Sequence, residues 1–362
     1  MSFNPNKPFN SLAPLPPKLA DLDSKKILKK AITANRAVAE LKGIGQTIPN
    51  QAMLVNTLVL QEAKASSEIE NIFTTNDALF KAIATNSRQA DSPTKEVLRY
   101  RQALWAGYES LKKKPLLTSN LFINIVQTIK ENKAGIRKTP GTIIGNAQTG
   151  KVIFTPPEGE KILRDKLHDL EKFIHINESL DPLVKLALIH YQFEAIHPFY
   201  DGNGRTGRII NILYLVQNGL LDIPVLYLSK YIIEHKQEYY RLLRRVTEAN
   251  EWEPWILYML NAVETTSLFT RQRISDIRLL MEETLIVARK KLPARVYSKE
   301  LIEVIFSQPY AKVQMLVNAN IAERKTAAEY LIELEKVGIL SLHKTGRENL
   351  FINTKLYKLL SQ

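Results

Sequence analysis

HPFYDGNGRTGR spans residues 197–208. Its twelve positions hold one His, one Asp, one Asn, three Gly and two Arg. LVKLALIHYQFEAI precedes it and IINILYLV follows it, and both have the pattern of buried helices. A polar, glycine-rich loop between two such helices has a role beyond linkage. His197 stands before Pro198, which disfavours helix at the preceding residue, so the imidazole sits at a fixed helix exit. Imidazole is the side chain best suited to accept a proton near neutral pH. Phe199 anchors the loop in the core. Asp201 is a hard oxygen ligand suited to Mg²⁺ shared with phosphates. Gly202 and Gly204 let backbone N–H groups approach an anion, and Asn203 can donate one more hydrogen bond. Arg205 and Arg208 stand three apart at a helix start, where the dipole and unpaired N–H groups favour phosphate. Singly, these are a helix cap, a turn and two solvated arginines. Together they describe a phosphate-transfer site.

Working outward, the chain has 362 residues, 45% hydrophobic and 24% charged, which is ample for a core and for two or three domains. The formal charge of +13 suggests polyanionic partners such as nucleotide phosphates or nucleic acid. The chain contains no Cys, which excludes disulfides, zinc fingers and thiol catalysis. The opening MSFNPNKPFNSLAPLPPK lacks the apolar stretch of a signal peptide, and no segment approaches the roughly 20 apolar residues of a membrane span. A soluble, cytoplasmic protein is expected.

Residues 1 to about 20 read as an extended arm. Helical periodicity then dominates, near 24–42, 50–71, 76–86, 92–114, 118–132, 158–177, 181–196, 204–218, 228–248 and 252–290. GTIIGNAQTGKVIFTPP (141–157) breaks the pattern and reads as a β-hairpin, either surface decoration or an edge that accepts a partner strand. Three helical stretches near 298–306, 311–318 and 324–337, followed by ILSLH and ENLFIN around the turn KTGR, suggest a winged helix-turn-helix module. From Arg289 onward thirteen Lys/Arg stand against seven Asp/Glu. Arg324 and Lys325 open the third helix as a groove-entering helix would, but Glu329, Glu333 and Glu335 share it, leaving DNA binding and protein contact both open. His190 lies two turns before His197. A dinuclear metal reading would need further carboxylates, so a structural His is favoured. The expected fold is mainly α, with a short β-hairpin and a small winged module. Its parts are an N-terminal helical region (1–100), a core (101–285) and a C-terminal module (289–362).

In the N-terminal half, EAKASSEIEN ends with Ser66, Glu70 and Asn71. Ser66 and Glu70 share a helix face. Glu70 stands near the helix end, where the dipole disfavours it unless it meets an Arg.

HPFYDGNGRTGR resembles the signature of the Fic family, His-Pro-Phe-x-Asp-Gly-Asn-Gly-Arg-x-x-Arg, at every fixed position, with the long form's Gly at 207. The resemblance extends over roughly residues 50 to 260. It implies a compact helical domain with a hairpin "flap", here 142–153, and transfer of AMP from ATP to a hydroxyl side chain of a target protein. By that resemblance His197 deprotonates a Ser, Thr or Tyr hydroxyl and Asp201 holds Mg²⁺. Gly202, Asn203 and Gly204 form the anion hole, and Arg205 and Arg208 hold the β- and γ-phosphates. Thr206 and Gly207 complete the nucleotide-binding stretch. Thr142, Ile143, Ile144 and Gly145 of the flap align the target, and Tyr239 and Tyr240 resemble a motif lining the adenine pocket. Ser66, Glu70 and Asn71 fit the family's inhibitory pattern, Ser/Thr-x-x-x-Glu-Gly/Asn, whose Glu pairs with the second signature Arg, here Arg208. Self-modification and a homodimer are further expectations. The alternatives are a related enzyme with other phosphate-transfer or AMP-removing chemistry, or a DNA-binding regulator that uses the winged module.

Overall fold

The computed structural model describes residues 3–18, 20–47, 51–85, 90–145, 149–176, 179–345 and 348–361. Among the described residues the order begins α1 (Lys25–Gly45), α2 (Gln51–Ile69), α3 (Asn76–Ala84), α4 (Ser92–Lys113) and α5 (Ser119–Lys130). The hairpin follows as β1 (Ile144–Gly145) and β2 (Val152–Phe154). Then come α6 (Glu160–His175), α7 (Pro182–Ile196), α8 (Asn203–Gln217), α9 (Leu228–Glu234), α10 (Lys236–Ala249) and α11 (Trp252–Lys291). The C-terminal module holds α12 (Lys299–Phe306), β3 (Tyr310–Ala311), α13 (Val313–Asn318), α14 (Arg324–Lys336), β4 (Ser341–Thr345), β5 (Glu348–Ile352) and α15 (Thr354–Ser361). The fold is mainly helical, with two small antiparallel sheets. One continuous buried apolar cluster runs from Leu12 to Leu360. Among the described residues no helix is long and apolar enough to cross a membrane.

α7 and α8 are the centre of this arrangement. α7 is apolar on every side, as a helix enclosed by neighbours must be, and nearly all its residues are buried. Asp181 caps its start by accepting from the N–H groups of Leu183 and Val184, with Pro182 at the first helical position. α8 packs against α2, α4, α5 and α7. The loop 197–202 is therefore carried at the joint of two rigid core helices.

Two details depart from the sequence pattern. The stretch 228–248 is two helices, α9 and α10, broken at His235 (φ −119°, ψ 34°). His235 Nδ1 lies 3.0 Å from the Tyr231 carbonyl, and the two rings stack 4.1 Å apart. No Gly or Pro marks this break. In the C-terminal module, β5 pairs with β4 as a hairpin and also with the short β3, giving the order β3-β5-β4. Two residues are too few for an alternating pattern to reveal β3. Part of the hairpin turn, Gly346 and Arg347, lies outside the described residues. So do residues 146–148 of the stretch read as the flap.

The N-terminal arm is not free. Phe9 N–H donates to the Thr155 carbonyl, and Thr155 Oγ1 donates to the Pro5 carbonyl. Phe3 stacks on Phe154, and Phe9 meets the same ring edge-on. The arm thus packs along β2 of the flap.

Candidate functional site

His197 caps α7 in the left-handed region (φ 49°, ψ 57°). That conformation is uncommon for a side chain with a Cβ, and it needs outside support. The support is Arg137, 1% exposed. Its Nε donates to the His197 carbonyl at 2.8 Å, and its Nη2 donates to the carbonyls of Pro157 and Ile196. Its backbone N–H donates to the Pro198 carbonyl. One guanidinium therefore joins the end of α7, the loop and the exit of the flap. Arg137 stands in the polar stretch AGIRKTPG, where it reads as an ordinary solvated residue, so sequence reasoning passed over it.

The loop is closed by Asn203. Its side-chain amide donates to the Phe199 carbonyl, and its Oδ1 accepts from the Phe199 N–H, both at 2.8 Å. Both side-chain groups of Asn203 thus brace the loop. Gly202 is left-handed (φ 82°) and starts α8 with no side-chain cap, so the first N–H groups of α8 are open to an anion.

A cavity of about 680 Å³ opens over this helix start. His197, Gly204, Arg208, Tyr239, Tyr240, Glu70, Asn71, Ile143, Ile144 and Gly145 line it, so most sequence-selected residues converge there. Others do not face it. Thr206 is fully buried, and Gly207 packs against α7, where a Cβ would come within 2.5 Å of Glu194 Oε1. Arg205 is 1% exposed and bonds Glu96 of α4 rather than pointing at the cavity. Lys130 bridges Glu96 at 2.9 Å and Asp201 at 2.6 Å. Burial pushes the Glu96 carboxyl up, but Arg205 and Lys130 together bring it below its ordinary value. Asp201 follows the same balance, with Lys130, Arg205 and the Gly202 N–H together outweighing burial. Three residues apart on a helix proved too coarse a guide, because the two arginines take partners from different helices.

Arg208 turns to α2. Its Nε donates to Ser66 Oγ at 2.7 Å, and its Nη2 donates to the Ser66 carbonyl at 2.8 Å and to Glu70 Oε1 at 2.9 Å. Behind it, the fully buried Glu62 accepts from Tyr100 Oη and from the N–H and Oγ of Ser229. Glu70 itself ends α2 beside Asn71, which is left-handed (φ 61°). A C-terminal residue in that region is usually Gly or Asn, which accounts for Asn71 in the pattern. A Cβ on Gly204 would lie 2.2 Å from Glu70 Oε1. Gly204 is therefore what lets the Glu70 carboxylate lie against the positive start of α8, where a phosphate would also be stabilised.

Tyr239 is buried with its Oη 2.8 Å from His190 Nε2, and His190 stacks on Trp255. Burial and the Arg208 charge hold the His190 pKa down to about 3. Burial, then Arg137, lowers His197 to about 4, against the opposing pull of the Glu194 carbonyl, Glu70 and Asp201. The His197 ring is thus neutral at pH 7 and able to accept a proton. For Mg²⁺, Asp201 offers one partly exposed carboxylate beside the α8 start. Among the described residues no three His, Cys, Asp or Glu cluster as a metal site. Such a set fits Mg²⁺ when phosphates supply the other ligands, and Lys130 would have to yield the carboxylate.

Residues 28–109 match the Fic/DOC family N-terminal model, and residues 116–215 match the Fic/DOC family model. Residues 280–356 match the C-terminal domain model of SoFic-like protein adenylyltransferases. A probable protein adenylyltransferase of Aquifex aeolicus is 31% identical over 42% of this chain and 40% of its own length. Protein adenylyltransferase fic-1 of Caenorhabditis elegans is 30% identical over 31% of this chain and 21% of its own. The chain therefore spans well under two thirds of these curated relatives. Two solved structures share the fold. A Fic family protein from Desulfovibrio desulfuricans G20 has a TM-score of 0.58 at 18% identity, covering 93% of this chain and 98% of that one. Fic-1 from C. elegans has a TM-score of 0.53 at 19% identity, covering 70% and 74%. With the N-terminal, core and SoFic-like C-terminal models all matched in order along one fold, the chain belongs to the Fic/DOC family.

Proposed function

We propose that this chain transfers AMP from ATP to a Ser, Thr or Tyr hydroxyl of a target protein, and to itself, and that Glu70 holds the activity down. The single observation that carries this is the Glu70 carboxylate, bonded to Arg208 and lodged over Gly204 at the uncapped start of α8, inside the cavity that also holds His197. That is the position a triphosphate needs, so carboxylate and phosphate compete for one arginine and one helix end.

The step divides as follows. The neutral His197 ring takes the proton of the target hydroxyl. The hydroxyl oxygen forms a bond to the α-phosphorus, the bond from that phosphorus to the β-bridging oxygen breaks, and pyrophosphate leaves. The α8 N–H groups stabilise the charge that develops on the α-phosphate oxygens. Arg208, freed from Glu70, holds the outer phosphates. Mg²⁺, held by Asp201 together with phosphates, would supply charge neutralisation. Ile143 and Ile144 on the flap edge present backbone to an extended target segment. Arg205 serves by bracing Asp201 and α4 rather than by meeting phosphate.

The test uses ATP labelled at the α-phosphate. Glu70→Gly should raise self-labelling well above that of the unsubstituted chain, and Glu70→Gly with His197→Ala should label at background. Mass spectrometry of the product should find one added AMP. A different added mass, or labelling that survives loss of His197, would overturn the assignment.

A further inference from the structure

The nucleotide cavity has a wall of which the transfer step uses only His197. One face of α7 (Tyr191, Glu194, Ala195, then His197) meets one face of α10 (Tyr240, Leu243, Thr247) across the cavity. Both sets recur every three or four residues, as one helix face does. Most polar groups here are engaged. Tyr191 Oη pairs with Thr247, Tyr239 Oη with His190, and Arg208 with Ser66 and Glu70. Besides the Nδ1 of the base His197, one further group on this wall is unpartnered among the described residues, that of Glu194. Its Oε1 is buried and has no hydrogen-bond partner among the described residues. A buried carboxyl oxygen without a partner is costly and requires an explanation. The space for it is kept by Gly207, where any Cβ would crowd Oε1 at 2.5 Å.

We propose that Glu194 reads the sugar of the nucleotide, accepting hydrogen bonds from the ribose 2′- and 3′-hydroxyls. This rests on the nucleotide reading of the cavity. If the α-phosphate lies beside His197, Glu194 comes one helical turn earlier on the same wall, about 5 Å away. That is the span a 5′-ester puts between its phosphorus and its sugar hydroxyls. A carboxylate is a well-suited partner for ribose hydroxyls, as in dinucleotide-binding folds. Burial lifts the Glu194 carboxyl to about 7, with Arg208 pulling it down and Glu70 pushing it up. A carboxyl that is partly neutral can lie near a polyphosphate with little repulsion and still accept from a hydroxyl.

Binding of ATP and of 2′,3′-dideoxy-ATP to the full chain carrying Glu70→Gly, measured by calorimetry, tests this. ATP should bind about tenfold or more tightly, the range expected when hydrogen bonds to a carboxylate are lost. Adding Glu194→Met should bring the two affinities together, mainly by weakening ATP. Glu194→Ala is the second variant should Met fail to fold. A preference that persists in either variant, or none in the Glu70→Gly chain, overturns the sugar assignment while leaving AMP transfer intact. Failure of both nucleotides to bind would bring down the nucleotide reading and this assignment with it.

Discussion

The two arginines of GRTGR make an instructive pair. Both are 1% exposed, both lie in the first two turns of α8, and both bond a glutamate from another helix. Their partners differ. Glu96 is 14% exposed, lies inside α4 and is shared between Arg205 and Lys130. Glu70 is 33% exposed, ends α2 and meets Arg208 through one oxygen. One pair is locked into the scaffold by a second cation, and the other can be undone from one side. The same residue type in the same motif can therefore be a brace or a latch, depending on how its carboxylate is anchored.

That contrast predicts opposite outcomes. Arg205→Met should strip Glu96 of its closest cation in a buried setting and cost about 3–5 kcal/mol of stability, the range for breaking a buried pair. Denaturant unfolding would measure it. Glu70→Gly should cost far less stability, because its carboxylate is a third exposed, and should raise AMP transfer by roughly tenfold to a hundredfold. If both variants lost similar stability and neither gained activity, the distinction between brace and latch would be wrong.

Arg137 is a third buried arginine, with backbone carbonyls in place of a carboxylate, and its effect is expected to be smaller and more specific. Its charge helps hold His197 down to about 4. A neutral base is lost only when protonated, and removing Glu70 takes away a charge that raises the ring, so in the Glu70→Gly chain transfer should fall with acid at or below about pH 4 rather than near the ordinary 6.5. Arg137→Met removes both the charge and the clamp. It should lower kcat and move that acid limb upward, toward 6.5. Arg137→Lys should leave the limb close to its original position, since the charge remains. A limb that stays fixed in Arg137→Met would show that burial alone sets the His197 ring.

Much of this arrangement was legible beforehand, and the residues that were not share a cause. His197, Gly204 and Arg208 stand close in sequence, the Ser66–Glu70 spacing places both on one helix face, and the family resemblance names Arg208 as the partner of Glu70. Arg137, Lys130 and Glu96 act through partners 34 to 109 positions away or on backbone carbonyls, and such pairs leave no local pattern. Glu194 is hidden differently. In LVKLALIHYQFEAI it reads as a tolerated polar residue of a buried helix, and only the unpaired Oε1 beside the cavity distinguishes it. The break at His235 and the packing of Phe3 and Phe9 on the flap likewise depend on contacts rather than on propensity.

The smallest effect tests the latch at its hinge. Asn71 is left-handed, and its N–H donates to the Glu68 carbonyl while the next N–H, of Ile72, reaches back to Ser67. These bonds end α2 and set where Glu70 emerges. Ala in the left-handed region costs roughly 1–2 kcal/mol, whereas Gly adopts it freely. Both substitutions remove the 3.5 Å contact between Asn71 Oδ1 and Lys236 Nζ, so comparing them isolates the backbone. Asn71→Ala should therefore raise basal AMP transfer several-fold above Asn71→Gly, because the turn that aims Glu70 at Arg208 is strained in one and relaxed in the other. Equal rates, measured with ATP labelled at the α-phosphate, would mean that Glu70 is held by Arg208 alone and that the end of α2 contributes nothing to the latch.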